Sequence, residues 1–273
     1  MADMPEGIAS ARFVGREAAF TRLATVLGGA AEGRAGTLLV SGTAGIGVTR
    51  FLNEAQRRIG ELAEPMTVLR GASSRGPDTP YAPVLEALRS ALCDLEDEAL
   101  GRVTGPASEE AVRLMPELAE RLAPLGLLPA RPTMTVPERR QARTLEGILG
   151  ILGRLGDERP VLLILEDLHR ADAATRALAT FLARIARNQR LALVITHRPD
   201  EVTRDHPWWT DRSVIAGAPR AVPTLELEPL RRDELARLIE SIEGQRASAS
   251  VLLLVVERSG GNPLAAEELL ERP

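Results

Sequence analysis

The chain reads Thr37-Leu38-Leu39-Val40-Ser41-Gly42-Thr43-Ala44-Gly45-Ile46-Gly47-Val48-Thr49 at the point where an apolar run gives way to a helical pattern. Residues 37–41 predict a short buried strand, and residues 49–59 carry apolar side chains at helical spacing. The glycines between them would let backbone N–H groups converge on phosphate oxygens, and the helix would add its partial positive charge. A plain tight turn would need the same glycines, so the loop by itself leaves phosphate binding and a simple turn equally open.

Similar apolar runs recur along the chain. The predicted strands are residues 37–41, 66–70, 161–166, 191–196 and 224–227. The predicted helices between them are residues 17–27, 49–59, 83–95, 138–155, 173–187 and 231–242. Several strands are apolar throughout instead of alternating, which is typical of a parallel sheet covered on both faces. This order predicts an α/β fold in which helices flank a parallel sheet.

Two regions interrupt the strand–helix alternation. Residues 101–137 are rich in proline, glycine and arginine, and they predict a helical insertion with one helix around 109–122. From residue 231 onward the pattern is entirely helical, over 231–242, 248–258 and 263–270. We therefore expect an α/β core over residues 1–230, with an insertion around 100–137, and a small helical subdomain over 231–273.

A pair of carboxylates follows the apolar run at 161–165. Glu166 and Asp167 match the Walker B pattern, in which one carboxylate holds Mg²⁺ through water and the next orients an attacking water. By position, Glu166 is the metal-side residue and Asp167 the candidate base, while the Thr49 hydroxyl stands where the phosphate loop contacts magnesium. Asp167 as a helix N-cap is the structural alternative, although Asp172 fits that role better. Parallel strands would bring both motifs to one edge of the sheet, where ligands bind.

The strand at 191–196 also ends in polar residues. Thr196 or Arg198 could reach a γ-phosphate from there, whereas a polar strand end followed by a proline turn would need no ligand. His197 is more simply interpreted as structural. One cysteine and three histidines without suitable spacing exclude a zinc site.

The overall composition narrows the classes of protein to which the chain could belong. With 273 residues, 44% hydrophobic and 26% charged, the chain has the composition of a soluble globular protein. No run reaches membrane-spanning length, and residues 1–11 lack the apolar core of a secretory signal. The single cysteine, Cys93, fits a cytoplasmic protein. A net charge of -4 gives no reason to expect DNA binding by this segment.

Six segments, in order along the chain, resemble the ATPase domain of large LuxR-type (LAL, MalT-like) bacterial transcription regulators, which belong to the STAND branch of the AAA+-like P-loop NTPases. The segments are Phe13-Val14-Gly15-Arg16-Glu17, the stretch from Pro80-Tyr81-Ala82-Pro83 to Glu86-Ala87-Leu88-Arg89, Leu165-Glu166-Asp167-Leu168-His169-Arg170-Ala171-Asp172, Thr196-His197-Arg198-Pro199-Asp200-Glu201, Leu225-Glu226-Leu227-Glu228-Pro229-Leu230 and Gly260-Gly261-Asn262-Pro263-Leu264-Ala265-Ala266-Glu267-Glu268-Leu269-Leu270. Arg170 departs from the family pattern, which has tryptophan there.

The resemblance implies a P-loop NTPase (ASCE/AAA+-like) fold that binds ATP or ADP with Mg²⁺ as a switch. Asp167 and Arg198 would serve hydrolysis, Arg198 as a γ-phosphate sensor, and Thr49 and Glu166 would hold the metal. The residues implied to bind the nucleotide are Val14, Gly15, Arg16, Gly42, Thr43, Ala44, Gly45, Ile46, Gly47, Val48, Thr49, Arg50 and Pro263. Among them, Val14, Gly15 and Arg16 would lie near the adenine, and Pro263 would close over the base.

Val48 departs from the family, because it stands where a lysine neutralises phosphate charge. The chain contains no lysine, yet arginine and not valine would be the expected substitute. Arg50 lies roughly 200° further around the helix and substitutes poorly. We therefore expect weakened nucleotide binding and slow or absent ATP hydrolysis. Two alternatives stay open, namely a pseudo-ATPase interaction scaffold that no longer binds nucleotide, and a sensor module of a cyclase or kinase.

Partners follow from the same resemblance. Family members continue into helical repeats and a C-terminal helix-turn-helix, which this chain does not contain. The chain is therefore expected to be a fragment, a truncated form or a stand-alone remnant. DNA contact would need that absent helix-turn-helix, self-association is possible, and no membrane contact is expected.

Overall fold

The computed structural model describes residues 13–61, 65–73, 79–129 and 137–271. Its strands are β1 (Gly36–Ser41), β2 (Thr67–Ala72), β3 (Val161–Glu166), β4 (Leu191–His197) and β5 (Thr224–Glu226). Its helices are α1 (Glu17–Ala31), α2 (Val48–Gly60), α3 (Ala82–Cys93), α4 (Asp97–Thr104), α5 (Ser108–Leu114), α6 (Ala119–Leu122), α7 (Pro137–Glu158), α8 (Ala173–Ile185), α9 (Pro207–Ala216), α10 (Arg232–Glu243), α11 (Ala249–Ser259) and α12 (Pro263–Glu271).

The five strands form one sheet in the order β2-β3-β4-β1-β5, and every neighbouring pair is parallel. Parallel neighbours need long crossovers, and helices supply them here. The predicted parallel α/β sheet is therefore confirmed, with strand bounds that differ by one or two residues from the expected ones.

Alternate residues of the central strands enter two separate apolar cores. Leu38 and Val40 of β1 join the core formed with α1 and α2, whereas Leu39 joins the core formed with α3, α7 and α8. We call the first side of the sheet the α2 face. Because both faces are covered, all positions of β4 and all but one end position of β1 and β3 are buried, which explains why these runs are mostly apolar.

The insertion differs from the single helix predicted around 109–122. Three short helices, α4 to α6, are separated by 3₁₀ turns at Gly105–Ala107 and Pro116–Leu118. Pro116 cannot donate a helical hydrogen bond, and the preceding Met115 leaves helical geometry with a φ of -135°. Met115, Leu118 and Leu122 are nevertheless buried in the core with α3 and α7. Residues 130–136 of the predicted insertion, and the residues 1–11 interpreted as lacking a signal, lie outside the described residues.

The helices α10, α11 and α12 follow β5 as predicted, and they share an apolar cluster of their own. Leu235, Leu238 and Ile239 of α10 meet Val255 of α11 and Ala266 of α12 in this cluster. Among the described residues, no helix combines the length and the apolarity needed to cross a bilayer.

Candidate functional site

The loop between β1 and α2 makes a sharp turn at two glycines. Gly45 and Gly47 have φ angles of 76° and 97°, in the left-handed region that favours glycine. The Ile46 N–H donates to the Thr43 carbonyl at 3.2 Å, and α2 begins immediately after Gly47. The loop therefore turns sharply into the N-terminus of α2, where unpaired N–H groups favour an anion.

The sheet register brings the glycine loop and the two carboxylates to one edge. Val40 of β1 is level with Thr196 of β4, and Leu165 of β3 is level with Ile195 of the same strand. Since β1 and β3 flank β4, Ser41 and Glu166 end two strand spacings apart, roughly 10 Å. The shared carboxyl edge agrees with the prediction.

Val48 is the first residue of α2, and its side chain packs half-buried against the core of the α2 face. An added Cβ at Gly42 would lie 2.8 Å from Val48 Cγ2 and 2.5 Å from Ile46 Cγ2. Position 48 therefore supplies an apolar contact to the base of the loop and no positive charge.

The segment that leads into α12 lies directly on the glycine loop. Asn262 Nδ2 donates to the Ala44 carbonyl at 2.8 Å, and the Leu264 N–H donates to the Gly45 carbonyl at 3.3 Å. Arg50 Nη1 of α2 forms an ion pair with Glu267 Oε1 of α12 at 2.7 Å. These contacts hold the three C-terminal helices closed over the loop.

The residues predicted to contact the adenine are gathered beside this closure. Val14, Arg16 and Pro263 line a pocket of about 30 Å³, whose other walls are Phe13, Ile46, Gly47, Arg50, Leu230 and Leu238. Because one water needs about 10–15 Å³ of such volume, the pocket admits about two waters and no purine. Gly15 does not line this pocket and instead approaches Glu234.

Arg16 connects the loop to the segment that precedes α10. Its Nη2 donates to the Ile46 carbonyl at 2.9 Å, and its Nη1 donates to the Glu228 carbonyl. Burial lowers the pKa of Arg16 from its ordinary value, against the opposing charges of Glu234 and Glu228. The structure thus places Arg16 as a bridge between the loop and the β5–α10 connection.

Glu166, the predicted metal-side carboxylate, is paired with an arginine that the sequence analysis did not single out. Arg70 Nε donates to Glu166 Oε1 at 2.6 Å, and Arg70 Nη1 donates to Asn53 Oδ1 and Gln56 Oε1, each at 2.6 Å. Within the described ranges, no group of three or more His, Cys, Asp or Glu side chains could hold a metal. Because a guanidinium occupies Glu166, the donor set does not fit Mg²⁺ in this arrangement.

Asp167 and Arg198, the predicted pair for hydrolysis, lie close together. Arg198 Nε is 3.7 Å from Asp167 Oδ1, and Arg198 Nη1 donates to Glu201 Oε1 at 3.3 Å. The Asp167 N–H donates to Thr196 Oγ1 at 3.0 Å, and Asp167 itself has a left-handed φ of 51°. Aspartate adopts this left-handed conformation more readily than most other non-glycine residues.

Three basic side chains, from the loops that follow β3 and β4, contact Glu201. Arg170 pairs with both of its carboxylate oxygens, His169 Nε2 lies 3.3 Å from Oε2, and Arg198 contacts Oε1. The hydrogen bond from Arg170 lowers the pKa of Glu201 to about 2. Arg170 therefore anchors the segment that carries Arg198 through a charged contact.

His197 is buried on the side of the sheet opposite the α2 face. This burial confirms the interpretation that His197 has a structural role. His197 is 1% exposed, and its ring packs against that of Trp208 with centroids 5.6 Å apart and planes tilted by 56°. Within the part of the chain that the structure describes, neither ring nitrogen has a hydrogen-bond partner. Burial lowers the pKa of His197 to about 4, assisted by the charges of Arg212 and His169.

We expect the protein to lose stability as the pH falls from about 6.5 to about 4. The folded protein binds the His197 proton more weakly than the unfolded chain does, so unfolding is favoured as the unfolded histidine titrates. A pKa difference from 6.5 to about 4 corresponds to about 3 kcal/mol at full protonation. His197→Phe should keep the ring contact with Trp208 and flatten this slope in urea unfolding at pH 7 and 4.5. An unchanged slope in His197→Phe would assign the effect to other groups.

The sequence did not predict the roles of three residues that lie at this carboxyl edge of the sheet. Arg70 is the charged last residue of the predicted strand 66–70, a signal that could have identified it. Asn262 and Glu267 stand within a quoted segment, but their contacts with the loop come from distant parts of the chain.

A family model described as an AAA ATPase domain matches residues 12–196. Among solved structures, two point mutants of RuvB from Thermotoga maritima are similar at 15% identity, with TM-scores of 0.47 and 0.48. They cover 95% and 97% of this chain, which in turn spans 62% and 64% of theirs. A signal transduction ATPase with numerous domains (STAND) and a tetratricopeptide repeat sensor, from Pyrococcus horikoshii, is 16% identical with a TM-score of 0.46, covering 93% of this chain and 29% of its own. No curated protein matches the chain in sequence.

Proposed function

The chain belongs to the AAA ATPase domain family, and from that premise we propose that it binds ATP or ADP as the regulatory switch of a larger signalling protein. One observation carries the proposal. The glycine loop turns into the N-terminus of α2 at the carboxyl edge of the parallel sheet, with Gly45 and Gly47 in left-handed geometry. Such a loop presents several N–H donors to the phosphates of a nucleotide.

The switch would consist of the three C-terminal helices moving relative to the glycine loop. In the closed arrangement, Asn262, Leu264 and Glu267 hold the loop and α2, and the pocket between them is too small for a base. A nucleotide would therefore enter only after these contacts loosen, and it would favour whichever arrangement it binds more tightly. This proposal keeps the division into a core over residues 1–230, with its insertion, and a helical subdomain over 231–273.

Hydrolysis is proposed to be slow or absent. Val48 offers no charge to the β- and γ-phosphates, and Glu166 is engaged by Arg70. Asp167 is held by Arg198, so the candidate base faces a cation from its own edge of the sheet. In this proposal, the site still binds and orients phosphates through backbone N–H groups. Arg198 can contact a γ-phosphate only if it leaves Asp167.

The biological setting that we propose is a LuxR-type transcription regulator of the STAND branch. The support is the six ordered segments, from the start near Phe13 to the Gly260–Gly261–Asn262–Pro263 stretch that here covers the loop. DNA contact would then belong to a helix-turn-helix outside this chain, and self-association would accompany the nucleotide-dependent switch in the cytoplasm.

A pair of glycine variants tests nucleotide binding. Gly47 and Gly33 both have left-handed φ angles and open space around them, so alanine at either should cost a similar stability of about 1 kcal/mol. Only Gly47 belongs to the phosphate loop. In calorimetric titrations with ADP, we expect wild type and Gly33→Ala to bind equally and Gly47→Ala to bind about tenfold more weakly or worse.

The scaffold hypothesis is the second candidate, and the pocket of about 30 Å³ favours it. If wild type fails to bind ADP, or if Gly47→Ala binds as tightly as Gly33→Ala, the nucleotide switch is wrong and an interaction scaffold is the better description.

A further inference from the structure

We propose that Arg70, and not Mg²⁺, supplies the positive charge that neutralises Glu166, so that this site holds its nucleotide without a metal ion. The inference rests on the proposed nucleotide-binding function and specifies the form of nucleotide that the site accepts.

The sheet itself fixes the pairing of Arg70 with Glu166. In the register of β2 and β3, Arg70 is level with Ile164 and Ala72 is level with Glu166. Because residues two apart on a strand share a face, Glu166 lies on the same face as Ile164 and is the diagonal neighbour of Arg70. Ile164 belongs to the core of the α2 face, so both charged side chains stand on the side of the sheet that α2 covers.

The guanidinium of Arg70 is held by three acceptors from two elements. Glu166 of β3 accepts from Nε, and Asn53 and Gln56 of α2 accept from Nη1, all at 2.6 Å. The side chains of Arg70 and Glu166 are only 23% and 13% exposed. A planar donor with this many fixed partners in a partly dry site is an ordered part of the fold and not a loose surface arginine.

The position of the guanidinium overlaps with what a magnesium site would need. Asn53 follows Thr49 by four residues, so the two share one face of α2, and the predicted metal ligands were Thr49 and Glu166. Mg²⁺ binds through one or two carboxylates, its own waters and substrate phosphates in near-octahedral geometry. Here the carboxylate already carries a cation, and a divalent ion beside Arg70 would be repelled.

Replacing Arg70 should therefore make nucleotide binding depend on Mg²⁺. We would titrate a fluorescent N-methylanthraniloyl analogue of ADP into wild type and Arg70→Met, each with excess Mg²⁺ and with EDTA. Wild type should bind equally in both buffers, within about twofold, whereas Arg70→Met should bind about tenfold or more tightly with Mg²⁺ than with EDTA, since Glu166 is freed. Arg57→Met is the matched control, because Arg57 also pairs with carboxylates of α2 but on the exposed surface.

A second variant guards against misfolding of Arg70→Met, which thermal unfolding would reveal. Glu166→Gln keeps an oxygen for Arg70 and removes the metal's carboxylate, so its affinity should match wild type in both buffers. Wild-type binding that requires Mg²⁺ would overturn the inference while leaving nucleotide binding intact, and loss of that requirement in Glu166→Gln would assign the metal to Glu166. Wild type that binds in neither buffer would overturn the proposed function and this inference with it.

Discussion

Replacing Val48 by lysine is expected to tighten ATP binding by about 1–3 kcal/mol, or about 5- to 150-fold, because one charge-assisted contact to the phosphates is restored. The loop backbone and the start of α2 are already in place, so only the cation is missing. ADP should gain less, since the γ-phosphate is the group left uncompensated. ATP hydrolysis should stay slow, because Glu166 still pairs with Arg70 and Asp167 still faces Arg198.

The control for Val48→Lys is Val48→Met, which has an unbranched side chain without the charge. Val48 packs against the core of the α2 face and close to Gly42, so a longer side chain by itself could disturb the loop. We would measure thermal midpoints and ATP affinity for all three proteins with Mg²⁺ present. Tighter binding in Val48→Lys alone, with an unchanged midpoint, supports a weakened switch. A lower midpoint without nucleotide binding would mean that the lysine is buried without a partner, as the scaffold hypothesis requires.

Replacing Gly71 by alanine is expected to destabilise the fold by about 3 kcal/mol or more, a large part of the 5–15 kcal/mol of a typical domain. Gly71 lies in β2 beneath the start of α3, and an added Cβ would run into the Pro83 carbonyl, whose carbon would be 2.5 Å away. The obstacle is backbone and cannot move aside as a flexible side chain would. The helix α3 would have to shift on the sheet.

Gly60→Ala is the matched control for the same chemical change. Gly60 ends α2 with nothing within 4 Å of an added Cβ, so alanine there should be neutral or stabilise by about 0.5–1 kcal/mol. Denaturant unfolding of both variants measures the difference. Equal unfolding free energies for Gly71→Ala and Gly60→Ala would show that β2 and α3 are not packed as closely as described.

The strands and most helices were predictable because their signals are local. Runs such as residues 161–165 are apolar at every position, which is the pattern of a strand covered on both faces. The insertion was predicted less well. Its helices are short, and the single helix predicted around 109–122 ran through Pro116, where the helix breaks because proline cannot donate a helical hydrogen bond.

The candidate site divides in the same way. The glycine loop, Glu166 and Asp167 could be identified because each follows an apolar strand, and parallel strands end at one edge. What surrounds them could not be identified. The pairing of Arg70 with Glu166 joins residues 96 positions apart, and Asn262 reaches Ala44 across 218 positions.

The sequence by itself therefore determined the strands, their parallel arrangement, the glycine loop after β1 and the valine at position 48 of that loop, because these follow from composition and spacing along the chain. Only the tertiary structure decided that the guanidinium of Arg70 pairs with Glu166, the carboxylate predicted to bind magnesium. The tertiary structure also decided that the C-terminal helices close the pocket. Both outcomes depend on which of several possible partners lies within hydrogen-bond distance. That choice is made by the packing of whole helices and strands, and not by the residues next to each other in the sequence.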